Sequence, residues 1–259
     1  MFLPGSVPAD VVHAIDGIAR EGVIMHTFKN WLRGMAGVVL AVAATGVWAA
    51  GAGVITHLSG TMSVQRPDGT VRILSQKSEV QPGDVLTTQR DSYAQINFTD
   101  GSAATMRPNT TMKLEAYSFS QERPQSDAIF MKLLKGGLRT VTGLIGKRGD
   151  QDAYKIGTST ATIGIRGSSG DTVECPTAGS CGNLEPGSYH TTYTGSYIMQ
   201  NQGGSQIIGE GQFGFAQEPG KPPVLLPGDP GLNLSQLPFT LGIGGGAIRG
   251  GANQECVVR

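Results

Sequence analysis

Apolar and polar residues alternate in short runs between residues 60 and 217. The pattern is clearest at residues 94–98 and 112–116, where every second side chain is apolar. A period of two residues predicts strands that bury one face. Turn sequences separate the runs, as at Pro67-Asp68-Gly69 and Pro82-Gly83. The pattern therefore predicts an all-β protein of short strands joined by tight turns.

Glycine sets the spacing of these strands. The chain contains 39 glycines in 259 residues, far above the usual share of about 7%. Between Gly136 and Gly170, Thr, Val and Ile dominate and a glycine recurs every few residues. Residues 189–217 repeat the alternation, which suggests a further coil of the same sheet. We expect a glycine-turned domain that is either solenoid-like or sandwich-like.

The same stretch resembles a known family. Residues 136–145 read Gly-Gly-Leu-Arg-Thr-Val-Thr-Gly-Leu-Ile, and residues 158–168 end in Ile-Gly-Ile-Arg-Gly-Ser. Both segments resemble the FecR-type periplasmic domain, although Ser168 stands where that family usually has Thr. The resemblance covers roughly Gly60 to Gly170. It implies a periplasmic, signal-transmitting module that contacts an outer-membrane receptor or passes a signal to a regulator of transcription.

The N-terminal region departs from the family's signalling members, and this changes the function that we expect. The signalling members carry a cytoplasmic anti-sigma region before a membrane helix, and the 33 residues before Gly34 are too short for that region. The resemblance then favours a stand-alone module that binds a protein partner in the envelope. A membrane-anchored, signal-transducing regulator of a sigma factor is the alternative.

The N-terminal region predicts export. An uncharged apolar run extends over residues 34–55 behind Lys29 and Arg33, and Val47-Trp48-Ala49 has the small residues of a cleavage site. We therefore assign residues 25–49 to a signal peptide, residues 1–24 to an overlong extension, and the mature protein to the periplasm. If the run stays uncleaved, it is long enough to anchor the chain in the inner membrane.

Charge and motifs exclude several classes of function. Lys plus Arg and Asp plus Glu are 20 each, so no global field attracts nucleic acid or an anionic membrane. No nucleophile elbow, zinc-protease motif or Walker sequence occurs, and no carboxylate pair lies in a recognisable catalytic setting. We expect no enzyme activity, no cofactor and no metal.

Three cysteines fit an oxidising compartment only imperfectly, because their number is odd. Cys175 and Cys181 flank a polar loop, and a disulfide there would stabilise the fold by roughly 2 kcal/mol. Cys256 is left over. The alternative is a metal site made by both cysteines and His190, but the spacing is not that of a paired zinc motif.

Five residues are candidates for binding. Arg139 and Arg166 lie among small and apolar residues, so each must pair with a buried acceptor as a clamp or reach solvent and bind. Tyr189, Tyr193 and Tyr197 recur every four residues and would share one strand face. If exposed, these rings could stack on sugars, which gives a carbohydrate- or peptidoglycan-binding alternative. A half-buried sheet face is the simpler interpretation.

The C-terminal region has a different composition. Residues 218–231 are rich in proline and glycine, and a glycine-rich stretch follows at residues 242–251. These sequences predict a disordered or extended tail. The expected organisation is thus a β domain over residues 50–217 and a tail over residues 218–259.

Overall fold

The structure, a computed structural model, describes residues 51–150, 152–232 and 234. Within these residues the chain forms fifteen strands and one short 3-10 helix, Pro124–Ser126, so the all-β prediction is confirmed. The predicted extension 1–24, the signal peptide 25–49 and Cys256 lie outside the described residues. The strands are β1 Gly53–Ser59, β2 Met62–Gln65, β3 Val71–Leu74, β4 Glu79–Val80, β5 Val85–Thr88, β6 Tyr93–Phe98, β7 Ala103–Met106, β8 Thr111–Ser118, β9 Ala128–Val141, β10 Tyr154–Gly157, β11 Thr162–Cys175, β12 Gly187–Asn201, β13 Gly204–Gly209, β14 Phe213–Ala216 and β15 Val224–Leu226.

The described strands all belong to one hydrogen-bonded sheet. Neighbouring strands run antiparallel, except that β10 pairs with β9 in parallel. A solenoid stacks parallel coils, whereas this chain connects most of its strands by hairpins and antiparallel returns. Of the two predicted forms, the structure is therefore the sandwich-like one.

Three long strands carry the sheet from one layer of the sandwich to the other. The first half of β9 pairs with β8 and β10, and its second half pairs with β7 and β11. In the same way, β12 pairs with β14 near its start and with β13 near its end. We call the layer from β3 through β2, β5 and β8 to β13 the first layer. The second layer runs from β4 through β1, β6 and β7 to β14 and β15.

Glycine makes the change of layer possible in β9. Gly136 has φ +87°, a conformation that other residues rarely adopt. A Cβ atom at Gly136 would also lie 2.7 Å from the Cα atom of Thr110. The strand bends at this position, so the two halves of β9 border different layers.

The main core lies between the two layers. Inward residues of the first layer, such as Met112 and Met131, meet inward residues of the second layer, such as Ile96 and Met106. All four side chains are fully buried. Ile96 and Met112 occupy apolar positions of the alternating pattern at residues 94–98 and 112–116, so the sequence identifies this part of the core.

Two predicted turns are present. Asp68 and Gly69 connect β2 to β3, and the Asp68 carboxylate accepts hydrogen bonds from the backbone N–H and hydroxyl of Thr70. Gly83 takes the positive φ that a Pro-Gly turn requires.

The structure corrects the prediction for the start of the tail. Residues 218–259 were expected to lack strands, but Val224–Leu226 forms β15 and pairs antiparallel with β14. Leu226 and Leu232 pack in a second, smaller core with Val173 and Tyr189. The apolar Val-Leu-Leu triplet between two proline-containing turns is enough for an edge strand when a hydrophobic surface is available. Beyond Leu232, only Leu234 is described.

None of the described residues forms a helix with the length and hydropathy needed to cross a membrane.

Candidate binding surfaces

A buried carboxylate organises the outer face of the second layer. Asp171 on β11 is fully buried, and its register partner on β9 is Arg139. Asp171 Oδ1 accepts a hydrogen bond from Arg139 Nε at 2.9 Å, and Oδ2 accepts one from Arg139 Nη2 at 2.8 Å. Oδ2 also accepts from Arg107 Nη2 at 2.7 Å and from the Tyr193 hydroxyl at 2.7 Å. These four side chains, Arg107, Arg139, Asp171 and Tyr193, form what we call the arginine clamp.

Electrostatics keep the clamp ionised. Burial by itself would raise the pKa of Asp171, but the hydrogen bonds from Arg139 and the charge of Arg107 outweigh it and lower that pKa. Burial and the neighbouring Asp171 charge raise the pKa of Tyr193 to about 12. At neutral pH the clamp holds one carboxylate, two guanidiniums and a neutral phenol, with a net charge of +1.

The clamp joins four neighbouring segments of the second layer. Arg107 follows β7, Arg139 lies on β9, Asp171 on β11 and Tyr193 on β12. Arg139 also lies over the Tyr193 ring, with 4.7 Å between its Cζ atom and the ring centroid. Because both oxygens of Asp171 are already occupied, the clamp role predicted for Arg139 is the one that the geometry supports.

The three candidate tyrosines do not share a face, which corrects the prediction. Tyr193 is 38% exposed, whereas Tyr189 and Tyr197 are buried. Tyr189 lies in the second core, stacked on Phe215 with ring centroids 4.5 Å apart. Tyr197 lies in the main core. No ladder of three exposed rings exists among them.

A bulge explains why Tyr197 points to the opposite face from Tyr189 and Tyr193, whereas Tyr189 is buried on the outer face by the second core. The register of β11 and β12 shifts between Arg166 and Gly170, and Gly195 on the opposite strand has φ +74°. One extra residue in a strand reverses which face the following side chains point to. Tyr189 and Tyr193 precede the bulge and point outward, and Tyr197 follows it and points into the main core.

The predicted disulfide is present between Cys175 and Cys181, whose Cα atoms are 5.6 Å apart. Both cysteines belong to the second core, where they pack with Val173 and Tyr189. The alternative metal site with His190 is not found, because the two sulfurs are bonded to each other. Across the described part of the chain, no group of His, Cys, Asp and Glu is arranged to hold a metal ion.

Two further titratable groups are enclosed by the fold. Glu174 is fully buried, and burial raises its pKa against the hydrogen bonds donated by the Ser159 and Ser188 hydroxyls. His190 is also fully buried, and burial lowers its pKa to about 3. Its Nδ1 atom pairs with the Thr172 hydroxyl at 3.0 Å, and its ring lies against Tyr197. Neither group reaches solvent, so neither is placed to act on a substrate.

The outer face of the first layer carries the other candidate arginine. Register places one row of side chains across five strands. Burial of the alternate residues Met131, Ile156 and Met199 in the main core places this row on the outside. The row consists of Phe130, Lys155, Gly164, Ile198 and Ile207.

Neighbouring rows add charge to this surface. Lys132 lies one row beyond Phe130 on β9, and Arg166 lies one row beyond Gly164 on β11. Both are exposed. We call the surface made by the row together with Lys132 and Arg166 the cationic face.

An open cleft lies at the Arg166 end of the cationic face. Its volume is about 520 Å³, and it lies between the turn of residues 146–150 and the segment of residues 166–167. Arg148 in that turn is held by Asp127, whose Oδ2 atom accepts a hydrogen bond from Arg148 Nη2 at 3.1 Å. The other cations that line the cleft, Lys147 and Arg166, make no ion pair with the residues that the structure describes, and Asp150 also lines the cleft.

Comparison with known proteins gives a family match for part of this architecture. Residues 84–180 match the family model described as FecR protein. This segment of the chain is similar to the FecR family. The match begins at Asp84, just before β5, and ends in the disulfide loop. The matched segment thus contains Arg107, Arg139 and Asp171 of the arginine clamp, whereas Tyr193 lies beyond it.

Solved structures of a candidate anti-sigma factor from Parabacteroides distasonis ATCC 8503 resemble the chain. Two crystal structures with that description, at 2.50 Å and 1.65 Å resolution, each give a TM-score of 0.41, with 12% and 11% sequence identity respectively. Each similarity covers 55% of this chain and 59% of the other, so this chain spans less than two thirds of that protein. No curated protein matches the chain.

The sequence pattern missed several residues of both surfaces. Asp171 was the strongest available signal, because a single carboxylate between Gly170 and Thr172 in a β-rich segment requires a cationic partner. Arg107 gave no signal of its own, since its partner is 64 residues away. Lys132 and Lys155 reach one surface only through strand pairing.

Proposed function

We propose that this chain is an exported, non-enzymatic FecR module that binds a protein partner in the periplasm and serves envelope signalling or scaffolding. The match of residues 84–180 to the FecR family carries the proposal. The likeness to a candidate anti-sigma factor is too distant to carry a function.

The chemistry of the described residues supports binding over catalysis. Asp171 is saturated by the arginine clamp, and Glu174 and His190 are buried. A general acid or base must reach the proton that it transfers. The accessible polar groups are instead spread over sheet surfaces, where proteins recognise partners.

Reciprocal capture tests the partner. The chain, purified from the periplasmic fraction with a C-terminal tag, is incubated with envelope extract at low salt. We expect one envelope protein to be retained, and that protein, tagged in turn, to retain this chain. If neither direction recovers a complex, the protein-binding proposal is wrong.

The export part of the proposal has its own measurement. Mass spectrometry of the purified protein gives the N-terminus, which we expect at Ala50. A chain that keeps residues 34–55 and fractionates with membranes would instead be a membrane-anchored regulator. The same preparation sedimented with peptidoglycan tests the carbohydrate alternative. We expect no co-sedimentation, because only Tyr193 of the three candidate rings is exposed.

A further inference from the structure

The cationic face combines an apolar row with unpaired positive charge. Phe130 and Ile198 are half-buried, and Ile207 at the sheet edge is 64% exposed. Five strands at about 4.8 Å spacing make the row about 19 Å long. Four of the five positions in the row are apolar or glycine, and Lys155 is the exception. The outward face of a solvent-exposed sheet normally carries polar residues, so such a row is typical of a surface that another molecule covers.

Glycines keep the middle of this row shallow. A Cβ atom at Gly164 would lie 2.9 Å from Ile198 Cγ2, and one at Gly157 would lie 3.0 Å from the Phe130 ring. The Phe130 and Ile198 side chains therefore rest on bare backbone and lie flat along the sheet. The result is a smooth apolar strip on which an extended segment can lie.

Cations border the strip. Lys132, Lys155 and Arg166 make no ion pair within the described parts of the chain. Within the first-layer parts of β9 to β13, which are residues 128–135, 154–157, 162–168, 196–201 and 204–209, no residue is Asp or Glu. Asp150 in the cleft offsets part of the charge at Arg166. The whole chain has no net charge, so this positive surface is a local property of the fold.

We propose that the cationic face docks an acidic segment with interspersed apolar residues, supplied by a protein partner. The proposal rests on the protein-binding function proposed above and names the surface and the chemistry of its ligand. Apolar side chains of the partner cover the strip, and its carboxylates pair with Lys132, Lys155 and Arg166. An acidic glycan or a lipid headgroup would meet the cations but leave Ile207 and Phe130 uncovered.

A peptide of eight alternating Glu and Val residues with a fluorescent label serves as the probe. Its anisotropy is titrated with the whole purified protein, and two matched peptides replace all Glu by Gln or all Val by Ser. Dextran sulfate competes as a purely anionic polymer. We expect the Glu-Val peptide to bind at least about tenfold more tightly than either matched peptide, because both kinds of contact are needed.

Charge reversal locates the binding surface. Lys155→Glu combined with Arg166→Glu should weaken binding of the Glu-Val peptide by about tenfold or more. The control combines Lys77→Glu with Arg90→Glu, which makes the same charge change at two exposed residues outside the cationic face. Circular dichroism confirms that both variants are folded. The proposal is overturned if both variants bind alike.

An apolar pair of variants tests the strip. Ile207→Ser removes an exposed isoleucine of the cationic face. Ile73→Ser is the control, because Ile73 is 71% exposed and lies on β3, outside that face. Only Ile207→Ser should weaken binding of the Glu-Val peptide. If affinity depends neither on Val in the peptide nor on Ile207 in the protein, binding is simple charge attraction and the proposal is overturned. Displacement of the peptide by dextran sulfate at equal charge concentration would overturn it too.

The outcomes separate this inference from the proposed function. If reciprocal capture recovers a partner whose binding is unaffected by Lys155→Glu with Arg166→Glu, the chain binds proteins through another surface and only the docking proposal fails. If no partner is captured although the Glu-Val peptide binds as expected, the proposed function fails and the surface chemistry stands.

Discussion

At the scale of single residues, the arginine clamp shows how a buried charge is tolerated in a sheet. Asp171 loses its hydration on folding, and it recovers four hydrogen bonds from Arg107, Arg139 and Tyr193. The pairing offsets the cost of burial but leaves little net gain. The clamp matters to stability chiefly because removal of one partner leaves buried charge with fewer compensating contacts.

Asp171→Asn should therefore destabilise the protein strongly. The variant keeps the side-chain shape but removes the carboxylate charge that pairs with two mostly buried guanidiniums, and the free energy of unfolding should fall by about 3–5 kcal/mol. Urea denaturation at pH 7 measures it. The control is Glu218→Gln, which breaks an exposed ion pair with Lys221 and should cost less than about 1 kcal/mol. Equal effects would mean that the clamp does not stabilise the fold.

His190 should make stability fall in acid. Its pKa is about 3 in the folded protein and close to 6.5 in the unfolded chain. Between these values the unfolded chain binds a proton that the folded protein does not, so stability is complete above about pH 6.5 and decreases as pH falls. The contribution of His190 to the slope is about 1.4 kcal/mol per pH unit.

His190→Phe removes this contribution and keeps an aromatic ring in the core. Urea denaturation at pH 7.5, 5.5 and 4.5 should show a shallower loss of stability for the variant than for the natural chain. Thr172→Val is the control, because it removes the hydrogen bond at Nδ1 and keeps the titrating ring. A variant that loses stability as steeply as the natural chain would contradict the burial of a neutral His190.

At the scale of elements, the strands follow the alternating pattern and the bulge interrupts it. The pattern in β6 identifies the inward residues Ala94, Ile96 and Phe98 correctly. In β8 it is correct for Met112 and Leu114, but the pairing of β8 with β9 shifts between Leu114 and Ala116, and Ala116 is exposed. In β12 the parity changes at Gly195, so a residue counted as sharing the face of Tyr193 enters the core. The glycine is needed for its positive φ and for close contact with the neighbouring strand.

Gly195→Ala should disturb the bulge. A Cβ atom there would lie 2.8 Å from Ser168 Cβ, and φ is +74°. We expect a loss of about 1–3 kcal/mol in thermal or urea unfolding. Gly211→Ala is matched in φ, at +75°, but has no atom within 4 Å of the added methyl group, so it should cost only about 1 kcal/mol. Equal losses would show that contact with Ser168 is unimportant.

At the scale of the whole molecule, the described residues form two cores of unequal size. The main core joins both layers, whereas the second core lies outside the second layer under the disulfide loop and the segment that follows β15. A small core buries little apolar surface, so a covalent link contributes a larger share of its stability.

Replacing both Cys175 and Cys181 with Ser should loosen the second core preferentially. We expect a loss of about 2 kcal/mol and faster amide hydrogen exchange near residues 173–175 and 213–216. Exchange in β6 and β8, which border the main core, should change much less. Hydrogen exchange with mass spectrometry measures both regions in one experiment. Uniformly faster exchange would mean that the two cores unfold as one unit.

The alternating pattern by itself determined that this chain is all-β, where several turns lie and which residues of regular strands point inward, because these properties depend on neighbours along the chain. The spacing of Cys175 and Cys181 in the sequence also indicated their disulfide, since only five residues separate them.

Tertiary structure alone decided the arginine clamp, the opposite fates of Tyr193 and Tyr197, the strand β15 and the cationic face. Each depends on which strands become neighbours and in what register, and residues as far apart as Arg107 and Asp171 carry no mark of that pairing in the sequence.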